Sequence, residues 1–204
     1  MSQLHPAFSA MVFPGNETKE HFLLKQVGLI WLKMKGCHWV GTEVWGLGGR
    51  TKADEARGKD KEWYRKQKSA YVQAHGYRVV ADVAGVAKES TGQGYRYTVH
   101  SIEVKVSRAD FQAGYCTGAN LAYVMTPKGL IRPDELETNV GLLEVDLQRL
   151  RPHKETKHIA SCVRVVKKPR RQTIPVNRAM RIIQDIGASY TNQAVFKNPW
   201  LILP

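Results

Sequence analysis

The chain has 204 residues, 43% of them hydrophobic and 24% charged, which is the composition of a folded protein with a core and not of a disordered tail. Thirty-one Lys and Arg against 18 Asp and Glu leave a net charge of +13, so a polyanion is the natural partner, the alternatives being a basic protein that is merely soluble or one that touches acidic lipid. No apolar run approaches the roughly 20 residues of a membrane-spanning helix, and Met1 to Phe13 lacks the pattern of a secretion signal. Cys37, Cys116 and Cys162 are odd in number and far apart, so a reduced, cytoplasmic setting is the simplest expectation.

Taken in chain order, Asn16 is placed to cap a helix. Its apolar positions, Leu23, Leu24, Val27, Ile30, Trp31 and Met34, recur at helical spacing, with Gly36 as the stop. His38 to Trp45 alternates and reads as a strand. Residues 51–76 change character: Arg57, Lys59, Lys61, Arg65, Lys66 and Lys68 crowd a charged segment with one helix, read as a surface insertion. Tyr77 to Lys88 and Tyr95 to Val106 read as two strands joined through Glu89 to Gly94, a hairpin loop longer than the tightest kind.

Ser107 opens a further helix, with Asp110 as its capping-box partner three residues on. Ala119 to Thr126, Val140 to Asp146 and Ser161 to Lys167 follow as short strands, and Pro175 starts a last helix over 176–188. Residues 151–204 form a basic C-terminal extension, in which Arg164, Lys167, Lys168, Arg170 and Arg171 make a run with no acid inside it. The pattern is that of a mixed α/β sheet protein, read as one domain over 1–204.

The tripeptide Glu-x-Lys occurs three times, at Glu17/Lys19, Glu103/Lys105 and Glu155/Lys157, so its presence alone decides nothing. Glu17 stands at a helix start, where an acid is expected from the helix dipole, and Glu155 lies in a polar stretch. Only Glu103 is flanked by β-formers, in Ile102-Glu103-Val104-Lys105-Val106. Alternation on a strand puts Glu103 and Lys105 on one face. Taken alone, that pair reads as an ordinary salt bridge. Asp82 alters this, because it is an acid inside the apolar run Val79-Val80-Ala81-Asp82-Val83-Ala84, which is costly unless it is paired or binds metal. The hairpin lays its strand beside that of Glu103, and two converging carboxylates suit a hard cation such as Mg²⁺.

Asp82, a hairpin and then Glu103-Val104-Lys105 resembles the motif of the PD-(D/E)XK nuclease superfamily. The string Ile102 to Phe111 is similar to the MmcB-like DNA repair branch, as are Arg78 to Val83, Tyr123 to Pro127 and Gly141 to Val145. The likeness spans about residues 20–146, interrupted by 51–76. It implies a restriction-endonuclease-like core, with a central mixed sheet flanked by helices in the order α-β-β-β-α-β. It also implies hydrolysis of DNA phosphodiesters with Mg²⁺ or Mn²⁺, in the repair, recombination or replication of a bacterium or phage. Asp82, Glu103 and the Val104 carbonyl would bind the metal, and Lys105 would position the attacking water.

Many members add a glutamate from the first helix, for which Glu20 is the better candidate and Glu17 the second. Glu43 is a further outer-shell acid. Lys167, Lys168, Arg170, Arg171, Arg108 and Arg65 are the expected contacts to nucleic acid. A homodimer would serve an enzyme that cuts two strands, although nothing in the chain shows one. The Gln-x-x-x-Tyr element of exonuclease-like members is absent, since Gln112 and Tyr115 are three apart. A DNA-binding protein that keeps the fold without cleaving is the alternative, and an RNA-binding accessory protein rests on charge alone.

Overall fold

In the computed structural model, residues 18–45, 80–115, 118–151, 155–174, 179–180 and 182–187 are described. The charged segment 51–76, Asn16, Glu17 and Arg65 lie outside them. The first helix, α1 (Lys19–Met34), is capped by Thr18, whose hydroxyl accepts the His21 N–H at 3.3 Å. The cap expected at Asn16 therefore falls to a residue two positions nearer the apolar run, which leaves every residue of the first turn helical. Gly36 ends the helix at φ +85°, where a side chain would be strained.

Strands β1 (Cys37–Trp45), β2 (Val80–Thr91), β3 (Gly94–Val104), β4 (Leu121–Pro127), β5 (Val140–Val145) and β6 (Val163–Lys167) form one sheet in sequence order. Pairing is antiparallel from β1 to β3, parallel from β3 to β5, and antiparallel again at β6. Two short helices, α2 (Arg108–Gln112) and α3 (Thr156–Ser161), complete these elements, with residues 182–187 helical near the end. This is an α/β protein with a six-stranded mixed sheet flanked by helices.

Two boundaries differ from expectation. The β2–β3 ladder closes at Thr91 opposite Gly94, leaving only Gly92 and Gln93 as the loop, because Glu89, Ser90 and Thr91 continue the ladder instead of leaving it. The Ser, Thr and Gly residues that signal a long loop are tolerated here as the end of an exposed hairpin. The helix α3 was not expected: His153 to His158 has no helical apolar stripe, and Ile159 packs it against the core around α1.

Alternation along the strands separates two cores. On one face Leu24, Val27 and Leu32 of α1 pack on Val83, Ile102, Val104, Met125 and Leu143. Gly28 lets the helix lie flat on the sheet, since a Cβ there would stand 3.2 Å from Val83 Cγ2 and 3.5 Å from Ile102 Cδ1. On the other face Ile182 and Ile186 cover Val86, Ala84 and Val99, while Tyr115, Ile131 and Leu136 cover Val124 and Leu142. The C-terminal extension is joined to the sheet. Asn120 accepts the Val99 N–H through its side chain and exchanges hydrogen bonds with the backbone of Gln172. Among the described residues no helix is long and apolar enough to cross a membrane.

Candidate active site

The β2–β3 ladder runs down to Val83 opposite Ile102, and one step further the strands stop pairing through backbone alone. There the Asp82 carboxylate accepts the Val104 N–H at 2.8 Å. An acid in an apolar strand is thus accommodated by taking over a ladder hydrogen bond, which fixes one of its oxygens. Val104, expected to contribute its carbonyl, meets Asp82 through its N–H.

Glu103 and Lys105 follow each other on β3 and just beyond it. The Lys105 ammonium stands 3.3 Å from Glu103 Oε1 and 3.2 Å from Asp110 Oδ1, with only 8% of its side chain exposed. Burial alone would lower its pKa, but the carboxylates of Glu103, Asp110 and Asp82 outweigh it and hold the pKa above the usual lysine value. Lys105 is therefore a fixed cation at neutral pH, suited to donating hydrogen bonds and not to accepting a proton.

Asp110 does more than the capping box foresaw. Its backbone N–H donates to Ser107 Oγ at 3.1 Å, as expected of a cap. Its carboxylate, however, reaches Lys105 Nζ and the Val106 N–H. The short helix α2 thus serves to aim an acid back at the cluster.

From above, α1 adds two basic side chains one turn apart. His21 Nε2 lies 3.5 Å from Asp82 Oδ2, and the buried Lys25 ammonium pairs with Glu43. Glu43 holds a left-handed backbone at φ 53°, rare for a residue with a side chain. The pairs on either side of it, Thr42 with Val83 and Val44 with Ala81, set Glu43 level with Asp82. Counting on from Val83 opposite Ile102 sets Asp82 level with Glu103. Three acids on three adjoining strands therefore share one level of the sheet, and His21, Lys25 and Lys105 are their basic counterparts.

The residues expected from sequence divide accordingly. Asp82, Glu103 and Lys105 come together. Glu20 is half-buried in the first turn of α1, where the side chain in contact with Asp82 is its neighbour His21. Glu43 joins at the edge through Lys25. His21 and Lys25 were missed, although they share a helix face with Gly28 at i, i+4 and i+7, and polar residues on an apolar helix face are a legible signal.

Among the described residues no group of three or more His, Cys, Asp or Glu is disposed to hold a metal ion. Asp82 and Glu103 do match the one or two carboxylates that Mg²⁺ takes from a protein while keeping most of its water, so their donor chemistry fits such an ion.

Of the expected nucleic-acid contacts, Lys168 and Arg170 are exposed. Lys167 donates to the carbonyls of Pro133, Leu136 and Glu137 and so ties β6 to the β4–β5 connection. Arg171 donates to Thr98 Oγ1, and Arg108 forms a two-pronged pair with Glu135. Glu155 and Lys157 lie at the start of α3, apart from the cluster. His158 Nε2 lies 3.2 Å from the Arg149 carbonyl, and Cys162 Sγ donates to the His158 carbonyl, which accounts for both without a metal.

No protein-family model matches the chain, and no curated protein matches it. A solved structure, a protein of unknown function from Silicibacter pomeroyi, is similar over 67% of this chain and 92% of its own, at 22% identity and a TM-score of 0.38. A likeness of that depth bears on neither activity nor ligand.

Proposed function

We propose that the chain is a divalent-metal-dependent nuclease that hydrolyses phosphodiester bonds in DNA, on a restriction-endonuclease-like core. The observation that carries this reading is the buried Lys105 ammonium, set between Glu103 and Asp110 with the Asp82 carboxylate on the adjoining strand. An exposed salt bridge needs none of this shielding, and a purely structural core would do without the charges. The +13 net charge suits a polyanionic substrate.

Asp82 and Glu103 would hold the ion, which when bound supplies stabilisation of negative charge on the phosphate and a water of lowered pKa. The remaining chemistry belongs to the chain. Lys105, charged throughout, donates a hydrogen bond to the attacking water or to a non-bridging phosphate oxygen. Asp110 holds that ammonium from the start of α2. The Val104 N–H keeps the Asp82 carboxylate from swinging, and His21 borders it on the helix side.

The test is incubation with supercoiled, linear and branched DNA, with Mg²⁺ or Mn²⁺ and with chelator. Cleavage by the wild type that disappears in Asp82→Ala and in Lys105→Ala sustains the reading. A second reading, a DNA-binding protein without cleavage, is favoured by one fact: Lys105 is already engaged by two carboxylates. Binding of DNA with no cleavage of any form, with either metal, would establish it in place of the first.

A further inference from the structure

Three exposed aromatic rings gather at the opposite end of β3 from the acids. Trp39 of β1 is 41% exposed, Tyr97 45% and Tyr95 65%, and they supply three of the six large hydrophobic side chains exposed among the described residues. Trp39 and Tyr97 lie 6.4 Å apart with rings tilted by 31°. The Lys88 ammonium sits 3.7 Å over the Tyr95 ring, and the His38 ring stands edge-on to Trp39 at 6.1 Å.

The register explains why they meet. Trp39 pairs with Val86, and Tyr97 pairs with Lys88 two positions further along β2, so all project to one face. The irregularity between Cys37 and Trp39 matters here. It keeps Cys37 in the core beneath α1 while Trp39 points to the opposite face. On that face Ile182 and Ile186 cover Val86 and Val99, and the aromatic group lies beyond that cover.

A surface of this kind has two ordinary uses, protein docking and base stacking. The surroundings favour the second. The rings carry a cation: the Lys88 ammonium stands over Tyr95, and Lys88 pairs across the ladder with Tyr97. Flat rings with an ammonium group on them, on a chain of charge +13, match unpaired bases on a phosphate backbone.

We propose that Trp39, Tyr97 and Tyr95 form a stacking platform for single-stranded DNA. Tyr95, Tyr97 and Glu103 lie on the same face of β3, because their positions differ by even numbers. Tyr97 and Glu103 are six positions apart, about 20 Å along the strand. The choice of DNA rests on the nuclease reading, whereas the platform's own test reads binding and not cleavage.

The probe is a fluorescent oligo-dT of about 12 nucleotides, titrated in chelator by anisotropy, beside an abasic oligomer of equal length and a blunt duplex. Oligo-dT is expected to bind more tightly than the abasic oligomer. Trp39→Ala and Tyr97→Ala are expected to weaken oligo-dT binding roughly five- to hundredfold and to leave the abasic oligomer unaffected. Trp39→Phe retains binding and Trp39→Leu does not, which separates stacking from greasy contact in proteins that melt alike. Equal binding of oligo-dT and abasic oligomer, or variants that bind as the wild type does, overturns the platform, and a stronger grip on an RNA oligomer overturns its assignment to DNA. Base-dependent binding without cleavage would leave the platform standing and remove the nuclease; cleavage with base-blind binding would do the reverse.

Discussion

The two ends of β3 solve opposite problems with the same alternating strand. At the C-terminal end, Glu103 and Lys105 are shielded, and each charge is held by another: Lys105 by Glu103 and Asp110, Asp82 by the Val104 N–H and His21. At the N-terminal end, Tyr95 and Tyr97 face solvent on a hairpin with a two-residue loop. Buried charges must be arranged in fixed geometry or they are costly, whereas exposed rings are held loosely and at little cost. On the proposed reading the first end would serve chemistry at a point and the second contact over an area.

The largest effect expected from this contrast is on cleavage. Lys105→Ala should lower the rate on DNA by roughly a thousandfold, the loss seen when one preorganised donor is removed from a reacting site. A rate constant from single-turnover gels checks it, and a residual rate near wild type would place Lys105 outside the chemistry. Trp39→Ala should leave the rate on blunt duplex within about twofold, since its contacts lie some 20 Å away along the sheet.

Next in size is the shared support between the ends. Ile102 is fully buried under α1 beside Val83, so Ile102→Ala should cost about 2–5 kcal/mol and depress both activities together. Urea denaturation gives the number. A stability loss that spared either end would show that the two are less coupled than one strand implies.

His100 lies between the ends and stacks on Tyr123, with centroids 6.4 Å apart and planes within 5°. Burial lowers its pKa from 6.5 to about 4, with Glu89 raising and Arg171 lowering it further. The folded form resists the proton that the unfolded chain accepts, so stability is full above about pH 6.5 and falls as the pH drops toward 4. The loss is on the order of 3 kcal/mol, and His100→Phe should flatten this part of the pH dependence in denaturation curves. A variant with the wild-type slope would assign the acid sensitivity to other groups.

The smallest effect distinguishes fold from function at the aromatic end. Trp39 and Tyr97 stand on strands separated by β2 and meet ring to ring, a contact that stabilises by roughly 0.5–1.5 kcal/mol, so Trp39→Ala should shift the melting temperature only slightly while single-strand binding drops. A large drop in the melt would instead make the rings structural.

Much of this was legible in the chain itself. Period 3.6 across Leu23 to Trp31 gave α1, and the alternation around Ile102 to Val106 gave β3. Asp82 declared itself as an acid among valines. Local signals do not carry partner choice, however. Asp110 satisfied a cap rule on its own, and only the approach of α2 to the sheet turned its carboxylate onto Lys105. His21 is unremarkable beside Glu20 until α1 is laid across β2 and β3 at Gly28.

What the sequence determined by itself is therefore the strands, the first helix and the two acids Asp82 and Glu103 as candidates, because periodicity and burial cost are properties of neighbours in the chain. Tertiary structure decided the rest. The level of Glu43, Asp82 and Glu103 depends on the register of three strands, and 34 residues separate β1 from β2. The employment of Lys167 in closing the β4–β5 connection depends on which strand β6 joins. Register and strand order follow from long-range packing, where the free energy is shared among many contacts and no short stretch of residues encodes it.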